Sequence, residues 1–196
     1  MKIEDIYKLG EGFGRGAVRV RTSPEWQLPV RDFDIAVARG ERRPETALRL
    51  EQYEGTKWFD FVGTQRAALR LVSERLLRAF EQAGLRGWEG LPIQLLDRSG
   101  KMVDGYRLLV IVGRCGPIDN ARSVQVDKIV AGNKSVAKVW QGLYFDEKTW
   151  DGSDLFSPGD TALMFATSAV KQTLEREKAT NISVGSLVDF ERPSLV

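Results

Sequence analysis

Two stretches of this chain carry the same pattern of residues 94 positions apart. Asp60-Phe61 answers to Asp154-Leu155, Ala68-Leu69 to Ala162-Leu163, and Leu71 to Phe165. Ser73 then answers to Thr167, Leu76 to Val170, Phe80 to Leu174 and Glu81 to Glu175, with no gap. Each stretch reads as a strand, a hydroxyl cap and an amphipathic helix. In the first, Ala68-Leu69-Arg70-Leu71-Val72 has strand character. Ser73 sits where its hydroxyl can accept from the free N–H groups of a helical first turn, and Glu74 suits the positive end of the helix dipole. Leu76, Leu77, Ala79, Phe80 and Ala83 form one apolar stripe. Gly84 follows where a left-handed residue ends a helix. The pattern predicts two similar strand–helix units, at about 68–84 and 162–178, inside duplicated segments 60–96 and 154–190. Two unrelated units with generic patterning would read the same way. Either reading gives an α+β fold with a mixed sheet.

Segments 91–96, 106–112, 123–130 and 136–145 read as further strands, with a turn at Asp97-Arg98-Ser99-Gly100 and a hairpin connection at 131–134. The N-terminal segment, 1–57, reads as irregular. It is rich in Gly, Pro and Arg, and Pro24, Pro29 and Pro44 divide it. A short strand fits 17–21. Residues 44–53 have helical spacing, with Ala47, Leu48 and Leu50 as buried positions and Gly55 beyond the end. The 196 residues suit one domain with a real core.

The chain has no His and one Cys, Cys115. Ser-His-Asp and Cys-His catalysis, His-ligated zinc and an intrachain disulfide are therefore excluded. Catalysis would have to rest on carboxylates, Lys, Tyr, Ser or an oxygen-held metal. Acid pairs occur at Asp32/Asp34, Asp146/Glu147 and Asp151/Asp154. Such pairs can divide acid and base work or hold a hard cation, so a carboxylate-dependent enzyme or metal-binding protein using Asp151/Asp154 is one alternative. Asp151-Gly152-Ser153-Asp154 lacks the alternating ligands and distal Glu of a calcium loop, and a locally bonded turn is the simpler reading. No catalytic, cofactor-binding or metal residue is assigned. The run from Leu9 to Val18 resembles the Gly-rich loop of protein kinases. Its glycines fall at every second position, however, and never give G-x-G-x-x-G. It reads as a Gly-rich turn.

Net charge is +2. Residues 1–122 hold 21 basic and 17 acidic side chains, and the remainder hold 8 and 10. An Arg-rich nucleic-acid-binding module is a second alternative. Acids intersperse almost every Arg cluster, so no nucleic-acid partner is expected. Met1-Lys2-Ile3-Glu4-Asp5 carries two acids at once and does not resemble a targeting signal. No apolar run approaches the roughly 18–20 residues that cross a bilayer. With one thiol, this places the chain in the cytoplasm, with no membrane partner.

Trp140, Tyr144, Phe145 and Trp150 fall within eleven positions. On one strand, Trp140 and Tyr144 would share a face. Trp150 lies among Lys148, Thr149, Asp151, Gly152 and Ser153, which predicts an exposed turn.

The series Leu69-Arg70-Leu71-Val72-Ser73-Glu74-Arg75 and Gly84-Leu85-Arg86-Gly87-Trp88-Glu89-Gly90-Leu91-Pro92-Ile93 resembles the middle of a bacterial immunity-protein family. It is the eleventh of the numbered immunity families of polymorphic toxin systems. A Tyr-led strand from Gly105-Tyr106, then Ile118-Asp119 and Ser123, and a closing unit after Asp154-Leu155-Phe156 continue the likeness, which covers residues 58–190. The closing unit departs at Thr167-Ser168-Ala169, Lys178 and Asn181, and the N-terminal segment before residue 58 matches loosely. The resemblance implies a non-enzymatic protein that binds and neutralises a cognate toxin encoded nearby, through a desolvated aromatic or Arg anchor with a polar rim. Trp140, Trp150, Asp151 and Asp154 are the candidate partner-binding residues, with Arg42 and Arg43 beside them. The sequence does not set the toxin or the state of self-association.

Overall fold

The computed structural model of the chain describes residues 2–23, 31–129, 136–159 and 161–193. Strands β1 (Ile6–Glu11) and β2 (Arg19–Thr22) open it, followed by helix α1 (Arg31–Ala38) and β3 (Leu48–Glu54). Next come β4 (Phe61–Thr64), β5 (Arg70–Ser73), helix α2 (Glu74–Gln82), β6 (Trp88–Leu91) and β7 (Ile93–Leu96). Strands β8 (Tyr106–Ile111) and β9 (Gly113–Cys115) lead to the antiparallel pair β10 (Val124–Ile129) and β11 (Val136–Gln141). The last group is β12 (Leu155–Pro158), β13 (Met164–Thr167), helix α3 (Ser168–Arg176), β14 (Ile182–Ser186) and β15 (Glu191–Pro193). The fold is α+β. Among the described residues no helix is long and apolar enough to cross a membrane.

Three mixed or antiparallel sheets result. One runs β14-β1-β13-β12-β9, one β6-β8-β5-β4-β2-β3-β7, and a small one β10-β11-β15. Strands β4, β5 and β6 and helix α2 begin 94 residues before β12, β13, β14 and α3. Strand β8 lies between β6 and β5, with Tyr106 opposite Ser73. Strand β1 lies between β14 and β13, with Ile6 opposite Thr167. The chain then changes sheets twice. It leaves β1 to place β2 parallel to β4, and it leaves β8 to place β9 parallel to β12.

Two carboxylates join the halves. Asp60 accepts from the Thr180 N–H at 3.0 Å, and Asp154 accepts from the Arg86 N–H at 2.9 Å. Beside them, Phe61 N–H donates to the Thr180 carbonyl and Leu155 N–H to the Arg86 carbonyl. Each half thus ties a backbone donor of the other, which satisfies these amides where the two meet.

Helix α2 begins where Ser73 Oγ accepts from the Leu76 N–H at 3.3 Å. Leu76, Leu77, Ala79 and Phe80 are buried. They share a core with Leu9, Leu109, Leu155, Val170 and Leu174, which joins the two large sheets to helices α2 and α3. A second core lies between helix α1 and the seven-stranded sheet, around Val37, Val20, Leu50, Leu71 and Val110. A third is aromatic and is built on Phe145, Phe156 and Phe165. Burying side chains of this size stabilises the fold by about 1.5–3 kcal/mol each.

Several local expectations are corrected. The N-terminal segment is not irregular: it contributes β1, β2, α1 and β3, and β1 sits inside a sheet. The pairing partners of β1 are β13 and β14, near the opposite end of the chain, so local composition carries no trace of the strand. Residues 44–53 form no helix. Leu48 and Leu50 are buried two apart on β3, and the alternation of a strand accounts for them. Segment 91–96 is split by Pro92, which ends β6 and precedes β7. Strand β11 stops at Gln141 because Gly142 turns the chain at φ +92°. Tyr144 and Phe145 therefore lie outside the strand that holds Trp140. The hairpin connection at 131–134 lies outside the described residues.

Candidate partner-binding surface

Among the described residues, one large apolar side chain is fully in solvent. Phe13 is 99% exposed, at the tip of the Gly-rich turn that follows β1. The turn is held from both sides. Gly12 N–H donates to the Asn181 carbonyl at 2.8 Å, and Gly14 N–H donates to Asn181 Oδ1 at 2.9 Å. Asn181 Nδ2 in turn donates to the Phe61 carbonyl at 2.8 Å. Asn181 has φ +58°, which Asn tolerates better than most residues. Ala17 N–H closes the turn on the Gly14 carbonyl.

The glycines here serve close approach. A Cβ at Gly12 would lie 2.8 Å from the Asn181 backbone, and one at Gly14 would lie 2.9 Å from the Phe59 ring. The backbone packs onto its own protein at both positions, and the Phe13 side chain between them projects outward. A turn held in this way loses little backbone freedom on binding. A cleft of about 240 Å³ lies beside it, lined by Glu11, Arg19, Glu54 and the turn itself. Arg19 is 3.8 Å from Glu11 and faces Glu54 across β2 and β3.

Sequence reasoning missed Phe13. The available signal was a lone Phe with Gly on both sides and no apolar periodicity around it.

The residues chosen from the sequence divide into separate places. Trp150 is half-buried, not an exposed anchor. Its ring packs against Phe156 at 5.8 Å, and its indole N–H donates to the Ser153 carbonyl at 2.9 Å. The polar neighbours form a turn around a ring that belongs to the aromatic core. Asp151 is exposed and shapes that turn, accepting from Arg114 N–H at 2.7 Å and Ser153 N–H at 2.9 Å. Asp154 accepts from Arg86 N–H and from Thr167 Oγ1 at 3.1 Å. Trp140 is half-buried on the small sheet, opposite Gln125 and Arg192. Arg42 and Arg43 are exposed: Arg42 lies over the Phe33 ring at 4.9 Å, and Arg43 pairs with Glu89.

The acids of these pairs whose side chains are described have structural partners. Asp34 is buried and accepts from Arg66 Nη1 at 2.8 Å. Asp146 accepts from the Lys148 N–H at 3.1 Å. Glu147 pairs with Arg122, and hydrogen bonds from Arg122 hold its carboxyl below the ordinary value. Among the described residues no group of three or more Cys, Asp or Glu side chains is placed to hold a metal ion.

Cys115 is buried. Burial and the nearby Asp151 carboxylate push its thiol up to about 12, against a smaller opposing pull from Arg39. The thiolate is the reactive form. Native protein at pH 8 should therefore leave a disulfide-exchange reagent nearly unconsumed over an hour, and denaturant should release one full equivalent of reaction. Rapid labelling of native protein would contradict this burial.

No family model matches the chain, and no curated protein matches it.

Proposed function

We propose that this chain is a cytoplasmic immunity protein that binds and neutralises a bacterial toxin, without catalysis of its own. The motif series over residues 58–190 supports the family reading. Phe13 carries the binding reading: an aromatic ring 99% in solvent, on a turn fixed by hydrogen bonds to Asn181. Aromatic anchors dominate protein interfaces, and no contact among the described residues accounts for a Phe in that position. Trp140, Arg42 and Arg43 are secondary candidates for the same role on other faces. Asp151 and Asp154 spend their carboxylates on backbone N–H groups and a hydroxyl, which favours the immunity reading over a carboxylate-dependent enzyme. In this proposal the two strand–helix units descend from a duplication. Its first unit is completed by β8 and its second by β1.

Co-expression tests the proposal. The probe is the product of a toxin-like reading frame adjoining this gene. Cells expressing it alone should stop growing, and cells that also carry this chain should grow and yield a complex of the two proteins. Growth arrest despite the chain, or rescue with no complex, would overturn the proposal.

A further inference from the structure

We infer that Phe13 enters an apolar pocket with an acidic rim on the partner protein. This rests on the binding function proposed above and specifies the chemistry of the surface that meets it. The ring is exposed, so burying it requires an apolar cavity on the other side. The charges around it set the rim. Arg15 follows Phe13 by two residues and is exposed. Lys57 is also exposed and lies against the same turn, its side chain within 3.8 Å of where a Cβ at Gly16 would sit. Neither has an ion-pair partner among the described residues. The third cation nearby, Arg19, is already neutralised by Glu11 at 3.8 Å and faces Glu54 on β3. The turn therefore presents an aromatic knob with two uncommitted cations toward its Gly16 end. Carboxylates at the mouth of the receiving pocket would neutralise both, while like charge there would be rejected.

The turn is also built to keep this shape. Its contacts to Asn181 and Phe59 come through the backbone of Gly12 and Gly14, so the Phe13 side chain can be exchanged without loss of those bonds. Phe13→Ala should leave the thermal midpoint unchanged. It tests binding alone.

The experiment measures association and dissociation rates of the adjoining toxin on immobilised full-length chain, across salt concentrations. Phe13→Ala should weaken the complex at least about 30-fold, mainly through faster dissociation. The double variant Arg15→Ser, Lys57→Ser should slow association about tenfold at low salt, with the difference vanishing near 1 M salt. A Phe13→Ala complex within about twofold of the unsubstituted one would overturn the knob and leave the immunity reading standing. Unchanged association by the double variant would overturn the acidic rim. If the unsubstituted chain does not bind the toxin at all, the proposed function fails first, and this inference with it. Retention on single-stranded DNA or anionic vesicles that depends on Phe13, with toxin binding indifferent to it, would assign the turn to another partner and overturn the inference.

Discussion

Asp60→Ala should destabilise the fold by about 3 kcal/mol or more, because several buried donors lose their shared acceptor while the half-exposed Arg75 keeps access to water. The Asp60 side chain is 9% exposed and gathers donors from β5, from α2 and from the connection before β14. Ser73 Oγ donates at 2.7 Å, Arg75 Nη2 at 2.7 Å and Nε at 3.2 Å. Thr180 donates through N–H at 3.0 Å and through Oγ1 at 2.8 Å. Removing the acceptor leaves the Thr180 donors and the Ser73 hydroxyl unsatisfied at the junction of the two halves, and each stranded group adds to the cost. At about 2–4 °C per kcal/mol for a chain of this size, the thermal midpoint should fall by roughly 10 °C.

The corresponding carboxylate of the other half sets the comparison. Asp154 takes one backbone donor, from Arg86, and one hydroxyl, from Thr167, and no guanidinium. Asp154→Ala should therefore cost less, about 1–2 kcal/mol. Equal losses at the two positions would contradict the reading of Asp60 as the stronger tie.

The same carboxylate makes stability depend on pH. Burial by itself would raise the Asp60 carboxyl, but hydrogen bonds from Arg75, Ser73 and Thr180 outweigh it and hold the group below its ordinary value of 3.8. A folded-state value below the unfolded one means the unfolded chain takes up the proton first as pH falls. The stabilisation is complete above the unfolded value and is lost as pH falls through the folded one. Urea midpoints measured from pH 6 down to pH 2 should fall more steeply in the unsubstituted chain than in Asp60→Ala, with the difference confined to the region below about pH 4.

Phe156→Ala should cost a similar amount, about 3–5 kcal/mol, for a different reason. Phe156 is fully buried on β12. Its ring lies 5.7 Å from Phe145, 5.8 Å from Trp150 and 5.8 Å from Phe165, nearly perpendicular to the last. Truncation leaves a cavity among three rigid rings that cannot close over it. Phe156→Leu keeps most of the volume and should cost under about 1.5 kcal/mol. Urea unfolding separates the two substitutions. Near-equal losses would show that edge-to-face ring contacts, and not filled volume, set the stability of this core.

What could be read from the sequence follows the range of the interactions. Ser73, Glu74 and the stripe Leu76, Leu77, Ala79 and Phe80 specify α2 locally, and the helix lies there. Asp60 and Asp154 stood out as equivalent positions, but not what they bond. Their partners Thr180 and Arg86 lie 120 and 68 residues away, and nothing local records that exchange. Strand β1 was missed for the same reason. Leu48 and Leu50 satisfy helical and strand spacing equally over so short a stretch, and tertiary pairing with β7 and β2 decides the outcome. Trp150 misled because polar neighbours in a tight turn say nothing about which way its ring points. Phe13 escaped notice because glycines suggest a loose turn, whereas these two glycines are needed for tight contact.

The central claim is neutralisation by binding, and inhibitor stoichiometry tests it most directly. Purified chain is titrated into a fixed amount of the adjoining toxin, and residual toxin activity is measured after prolonged incubation. The account predicts a linear fall that reaches zero at a fixed molar equivalence and does not deepen with time. Inactivation by substoichiometric amounts that grows with time would show a catalyst, and full toxin activity at large molar excess would show that this chain is not its antagonist.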